Sequence, residues 1–293
     1  MSRPLKSFIL WNFMITLFLY ILAYQAKKWS FLPAHFSFFI LLISTIIPLV
    51  ASYLFAKKYY GPRGVEKLFS TLKIIELQGA SMSIAISPLL LFAIGIVSYP
   101  IFFDSFFSIT TVLKEHSIYS MFSVLVWFLP FIPLAISDTI GWRGFALPHF
   151  QARYTAFSSS IFIGLLNAIN VLIIFSIRQE FDLLFSLRLL LSMVFQSFLL
   201  TAIFNYSKGH VLPCLIFNLV FYFIIALDPD FLALVATIGY VLLSAYYINR
   251  YGRVHISEGH RIKNFYKKVL SSKTKREILE LEEEEDEDDA IEI

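Results

Sequence analysis

The residues able to do chemistry are few, and they interrupt stretches that are otherwise apolar. The densest group is Ser137-Asp138-Thr139-Ile140-Gly141-Trp142-Arg143-Gly144-Phe145-Ala146-Leu147-Pro148. Asp138 lies five residues before Arg143, a Gly-Trp-Arg-Gly turn carries the arginine, and Pro148 closes the segment. The glycines permit close helix approach or a bend. Charges in such a setting cost roughly 2.5–3.5 kcal/mol each on insertion scales, so each needs a reason. Asp138 and Arg143 could neutralise one another or bind neighbouring helix ends. Thr139, Asn167, Asn170, Asn218 and Tyr222 add uncharged polar groups. As interhelical hydrogen-bond glue, such groups contribute about 0.6 kcal/mol per contact. As a convergent set, they would form a pocket for a polar headgroup or a peptide backbone.

The histidines offer little metal chemistry. His35 is near the start of the second apolar stretch and His210 opens the seventh, while His116, His255 and His260 read as solvent-side. His149 follows Arg143 by six residues, and no two histidines stand four apart on one helix. Interfacial histidines satisfied by water or headgroups account for this spacing. A relocated site from Asp138, His149 and His210 is the alternative. One cysteine, Cys214, excludes a disulfide framework and any paired-cysteine zinc site.

These residues need a scaffold, and composition says in what solvent it stands. Hydrophobic types make up 58% of the 293 residues and charged types 15%. Soluble domains run about 45–50% apolar and about 25% charged. Mean hydropathy is +0.72. One globular core of this length cannot hide so much apolar surface, so a soluble enzyme or nucleic-acid module is excluded and lipid must be part of the solvent.

A bilayer core about 30 Å thick needs roughly 20 apolar residues per helix. Eight stretches qualify, near 8–24, 31–56, 81–103, 119–137, 157–177, 183–204, 210–227 and 230–248. The expectation is an all-α, multi-pass membrane bundle over 1–249 with a cytoplasmic tail over 250–293. The first stretch lacks a small-x-small cleavage pattern at Ala23-Tyr24-Gln25-Ala26 and reads as an uncleaved anchor. No internal repeat is visible. With eight spans, 19 Lys/Arg fall on the side of the termini and 5 on the other, which places both termini in the cytoplasm of a cell-membrane protein.

Two segments stand outside the spans. Residues 64–77 place Val65, Leu68, Phe69, Leu72 and Ile75 at helical spacing. This is either an amphipathic helix on the cytoplasmic face or an extension of the third helix. The tail is basic first, with nine bases and one acid over 250–276, then acidic, with 11 acids and no base over 277–293. The basic part can attract anionic headgroups. The acidic run repels itself and is expected to stay disordered, as a solubility tail or as a docking segment for a basic partner. Its charge would compete with phosphates, so no nucleic-acid partner is expected.

Gly-Trp-Arg-Gly-Phe-Ala-Leu-Pro at 141–148 resembles the first motif of the CPBP family, the CAAX-processing and bacteriocin-processing intramembrane endopeptidases also called Abi. Phe204-Asn205-Tyr206-Ser207-Lys208-Gly209-His210-Val211-Leu212-Pro213 is similar to the lead-in to its third motif. The resemblance covers roughly 119–223, and eight spans suit the family. It implies metal-assisted peptide hydrolysis in the membrane, with motifs Glu-Glu-x-x-x-Arg, Phe-x-x-x-His and His-x-x-x-Asn on three helices. There a Glu activates water, two His bind zinc and an Asn helps hold the oxyanion.

Carried over by position, the resemblance puts Asp138 and Thr139 at the two glutamates. Asn167 stands at the aromatic position, Val171 at the second-motif histidine, Asn218 at the third-motif histidine and Tyr222 at the asparagine. A one-residue slip puts Asn170 at the second-motif histidine. Only Arg143 is unchanged. Valine cannot bind a metal, and an amide oxygen is a poor zinc ligand, so no zinc or other cofactor is expected. The leading expectation is a catalytically inactive relative. Asp138 and Arg143 would remain from the first motif, and Thr139, Trp142, Asn167, Asn170, Asn218 and Tyr222 would form a binding set. It would bind or escort a hydrophobic or prenylated peptide, a lipid or another membrane protein, in a scaffold or immunity role. The alternatives are an active metalloendopeptidase rearranged around Asp138, His149 and His210, and a transporter or channel whose pathway is lined by Asp138, Arg143 and Arg188.

Overall fold

Apolar runs punctuated by Pro and Gly become helices with breaks at those residues. The computed structural model describes residues 2–28, 36–72, 79–103, 108, 128, 129, 131–178, 183–227 and 230–257. Every regular element among them is helical: α1 Arg3–Lys28, α2 Phe36–Ser70, α3 Gly79–Ala85, α4 Ser87–Phe103, α5 Phe131–Asp138, a π-helix Thr139–Ala146, α6 Leu147–Gln151, α7 Ala156–Arg178, α8 Leu183–Tyr206, α9 Leu212–Leu227 and α10 Asp230–His255. α1 lies along α2, α7 along α8 and α8 along α10, while α2 also packs on α5 and the π-helix.

Four helices are long and apolar enough to cross a membrane: Arg3–Ala26, Phe39–Ser70, Leu183–Tyr206 and Phe231–His255. A fifth is added if α3 and α4, bent by 44° at their junction, form one broken span. Pro88 explains that bend, because it supplies no N–H and its ring clashes with the preceding turn. Two shorter apolar helices, Ala156–Asn170 and Leu212–Ile224, complete the set. Of the expected fourth span, residues 119–127 and 130 lie outside the described residues.

Burial is inverted relative to a water-soluble protein. Leu10, Met14 and Phe18 on α1 are exposed, as are Val97 and Ile101 on α4 and Leu184 on α8. Inside are Asn12, Ser137, Thr139, Arg143, Gln196, Ser197, Thr201 and Asn218, each at 1% exposure or less except Gln196 at 4%. Apolar side chains outside and polar ones inside are what an apolar solvent selects. The same preference explains why α7 and α8 meet through a small residue. A Cβ at Gly164 would stand 2.7 Å from Val194 Cα, so only glycine allows this approach.

The segment 64–77 departs from both expectations. Residues 64–70 continue α2 beyond a break at Gly61, whose φ of 66° is left-handed, with Pro62 following. The returning turn buries Leu68 completely beside Gly144, where a Cβ would meet Leu68 Cδ1 at 3.4 Å. Val211 N–H then donates to Thr71 O at 2.9 Å and fixes the end of the turn. The apolar periodicity thus serves protein packing on α2, not a lipid surface or the third helix, and residues 73–77 lie outside the described residues. The bundle boundary expected at 249 falls inside α10, which runs to His255 with a left-handed break at Gly252. The tail from 258 onward lies outside the described residues.

Candidate functional site

The π-helix is the part of the motif segment that a helical reading of the sequence does not anticipate. Leu147 N–H donates to Trp142 O, five residues back. Such winding is rare and is concentrated at functional sites. Here it lets all eight residues, Thr139 to Ala146, be buried. Gly141 brings its backbone against α2, since a Cβ there would stand 2.7 Å from Pro48 Cβ and 2.8 Å from Pro48 C and O. Pro48 interrupts α2 at the same level, and Leu49 N–H donates to Ser137 Oγ at 3.0 Å. Phe8 of α1 packs edge-on to Trp142 with ring centroids 5.2 Å apart, and against Phe145 at 5.3 Å. The motif is therefore clamped between α1 and α2.

Behind it runs a satisfied polar network. Arg143 Nη1 donates to Ser197 Oγ at 3.1 Å. Asn218 Nδ2 donates to Thr139 Oγ1 at 2.9 Å, and Gln196 Nε2 donates to Asn218 Oδ1 at 3.2 Å. Tyr222 OH donates to Asp138 Oδ2 at 3.2 Å. Two further bonds extend the seam on α8: Ser160 Oγ donates to Thr201 Oγ1, and Thr201 Oγ1 donates to Ser197 O, each at 2.8 Å. Arg143 and Asp138 lie close enough to interact electrostatically, so each offsets part of the other's burial.

In front of the network is a partly open, mostly apolar cavity of about 270 Å³. Asp138, Trp142, Asn167, Asn170 and Tyr222 line it, together with Arg188, Tyr20 and Tyr240. The sequence-nominated residues thus divide. Five reach the cavity, whereas Thr139, Arg143 and Asn218 stand behind it and tie α5, α8 and α9 together. Asn167 and Asn170 share one face of α7 at a spacing of three. Asn170 Oδ1 is buried without a hydrogen-bond partner, and among the described residues neither asparagine side chain is hydrogen-bonded. The side chain of Val171 lies outside the described residues.

The histidine alternative is not assembled. His149 Nδ1 faces Phe145 O at 2.6 Å, so that nitrogen carries the proton, and Nε2 accepts from Tyr60 OH at 2.8 Å. Burial pushes the His149 imidazole down to about 4, against the raising effect of the Phe145 carbonyl. His210, in the loop before α9, is also shifted down by burial. Among the described residues no group of three or more His, Cys, Asp or Glu is placed to hold a metal ion.

Gln196 and Ser197 were not singled out in the sequence, although two adjacent polar residues in the middle of an apolar helix were a usable signal. Tyr20 and Tyr240 gave none, because tyrosine is ordinary in membrane helices.

No protein-family model matches the chain, and no curated protein matches it. The likeness of 141–148 and 204–213 to the CPBP motifs therefore stands on those residues alone.

Proposed function

We propose that this chain is an integral membrane binding protein, a CPBP-like scaffold whose hydrolytic machinery has been replaced by an intramembrane ligand cavity. The observation that carries the reading is that Asp138, Trp142, Asn167, Asn170 and Tyr222, from four separate segments, line one cavity. Polar groups facing a cavity in lipid are costly unless a ligand or water meets them. The positions that would hold zinc carry amide and apolar side chains, and Asp138 is engaged by Tyr222. Those residues bind and orient, and nothing among them activates water strongly. In this reading both termini are cytoplasmic and the ligand is amphipathic.

Native mass spectrometry of the protein purified in mild detergent tests the proposal. A bound amphiphile is expected, and Ala236→Phe, which fills the cavity wall, is expected to expel it. Cleavage of a prenylated CAAX peptide that stops on adding chelator would overturn the proposal. The transport reading has one observation in its favour, the presence of Asp138 and Arg188 in the same wall. Solute flux in proteoliposomes, abolished by Asp138→Asn, would establish it instead.

A further inference from the structure

The cavity wall has a chemistry narrower than "amphipathic", and this inference rests on the binding reading above. Its two charged residues are Asp138 and Arg188, one acid and one base. The Arg188 guanidinium is stationed over the Phe185 ring, 5.3 Å from its centroid. A second arginine, Arg143, lies behind Asp138 and interacts with it electrostatically. A cationic head entering this space meets two arginines and a carboxylate that already accepts from Tyr222. An anionic head meets the Asp138 carboxylate. In a medium of low dielectric either added charge is penalised. An uncharged head avoids both penalties.

The uncharged head must also answer the asparagines. Asn167 and Asn170 line the cavity one helical turn apart, and among the described residues neither side chain is hydrogen-bonded. Each carboxamide offers two donors and one acceptor with two lone pairs. No bulk water reaches a lipid-embedded wall to satisfy them. A hydroxyl both donates and accepts, and residues three apart on a helix have Cβ atoms about 5–6 Å apart. Two neighbouring hydroxyls on one head can therefore engage both carboxamides, and a hydroxyl can also donate to Asp138.

Size limits the rest. A volume of about 270 Å³ is at the small end of ligand pockets, which run about 300–1,000 Å³. It takes one head and the first carbons of a chain, not a two-chain lipid. The remaining wall, including Tyr20, Leu134, Met193, Phe221 and Tyr240, is largely apolar and suits a hydrocarbon. We propose that this cavity binds the uncharged, hydroxylated head of a single-chain amphiphile, a monoacylglycerol being the simplest, with Asn167 and Asn170 as its head-group ligands.

The test is equilibrium binding of radiolabelled monolauroylglycerol to the full chain in nanodiscs at neutral pH, with dodecylamine and lauric acid as competitors of equal chain length. The expected result is saturable binding, with each charged competitor at least tenfold weaker. Asn167→Leu/Asn170→Leu is expected to weaken binding roughly tenfold, as two lost membrane hydrogen bonds would, while the unliganded unfolding temperature stays within a degree or two. Equal or tighter binding of the amine or the acid overturns the proposal. Unchanged binding in the double variant overturns it as well. If none of the three amphiphiles binds saturably, the binding reading itself fails, a result distinct from a wrong head-group class.

Discussion

α7 and α9 both carry asparagine into the bundle, with opposite outcomes. Asn218 on α9 spends its amide on Thr139 and Gln196 and is fully buried. Asn167 and Asn170 on α7 line the cavity and are bonded to nothing among the described residues. Residue type does not separate glue from site; what separates them is whether a protein partner occupies the other end of the hydrogen bond. The same division holds for the two first-motif residues. Arg143 is locked to Ser197 behind the cavity, while Asp138 reaches the cavity wall.

The sharpest way to break the comparison is on the satisfied side. Arg143→Ala leaves Asp138 buried without its compensating charge and Ser197 without its donor. It is expected to cost about 3–5 kcal/mol, visible as a large drop in unfolding temperature or in folded yield by size exclusion after heating. An undiminished variant would show that the arginine is not structural.

His149 provides the next largest effect. Its imidazole is buried neutral with a folded value near 4 against 6.5 ordinarily. The unfolded chain binds the proton more readily, so stability is whole above pH 6.5 and declines as pH falls toward 4, by on the order of 3 kcal/mol. His149→Gln is expected to flatten that decline in thermal unfolding measured across pH. A slope equal to that of the native chain would assign the loss to another group.

Asn218→Leu strands the Thr139 hydroxyl and the Gln196 amide and is expected to cost about 1–2 kcal/mol. Asn170→Leu, which removes a polar atom with no partner, is expected to change unliganded stability by less than about 0.5 kcal/mol or to raise it. The difference between these two variants measures the contrast directly. If both destabilise equally, Asn170 has a structural partner after all.

Much of this was legible in the residues. An apolar fraction of 58% and polar groups confined to a few positions were enough to call for lipid and to nominate Asp138, Trp142, Asn167, Asn170 and Tyr222 together. Helices α7 to α9 begin and end close to where their apolar runs do. The role of 64–70 was not legible, because the burial of Leu68 depends on a left-handed Gly61 that turns the chain back onto Gly144. Apolar periodicity says that a face will be covered, not by what.

The amino-acid sequence by itself determined the solvent, the helical class and the inventory of polar side chains, because the cost of placing backbone and charge in hydrocarbon depends on composition and run length. Only the tertiary structure decided which of those side chains face one another. The π-winding of Thr139–Ala146, the approach of Gly141 to Pro48 and the bond from Asn218 to Thr139 join residues far apart in the chain, and such distances are set by packing. That packing closes around Thr139, Arg143 and Asn218 and leaves Asn167 and Asn170 open.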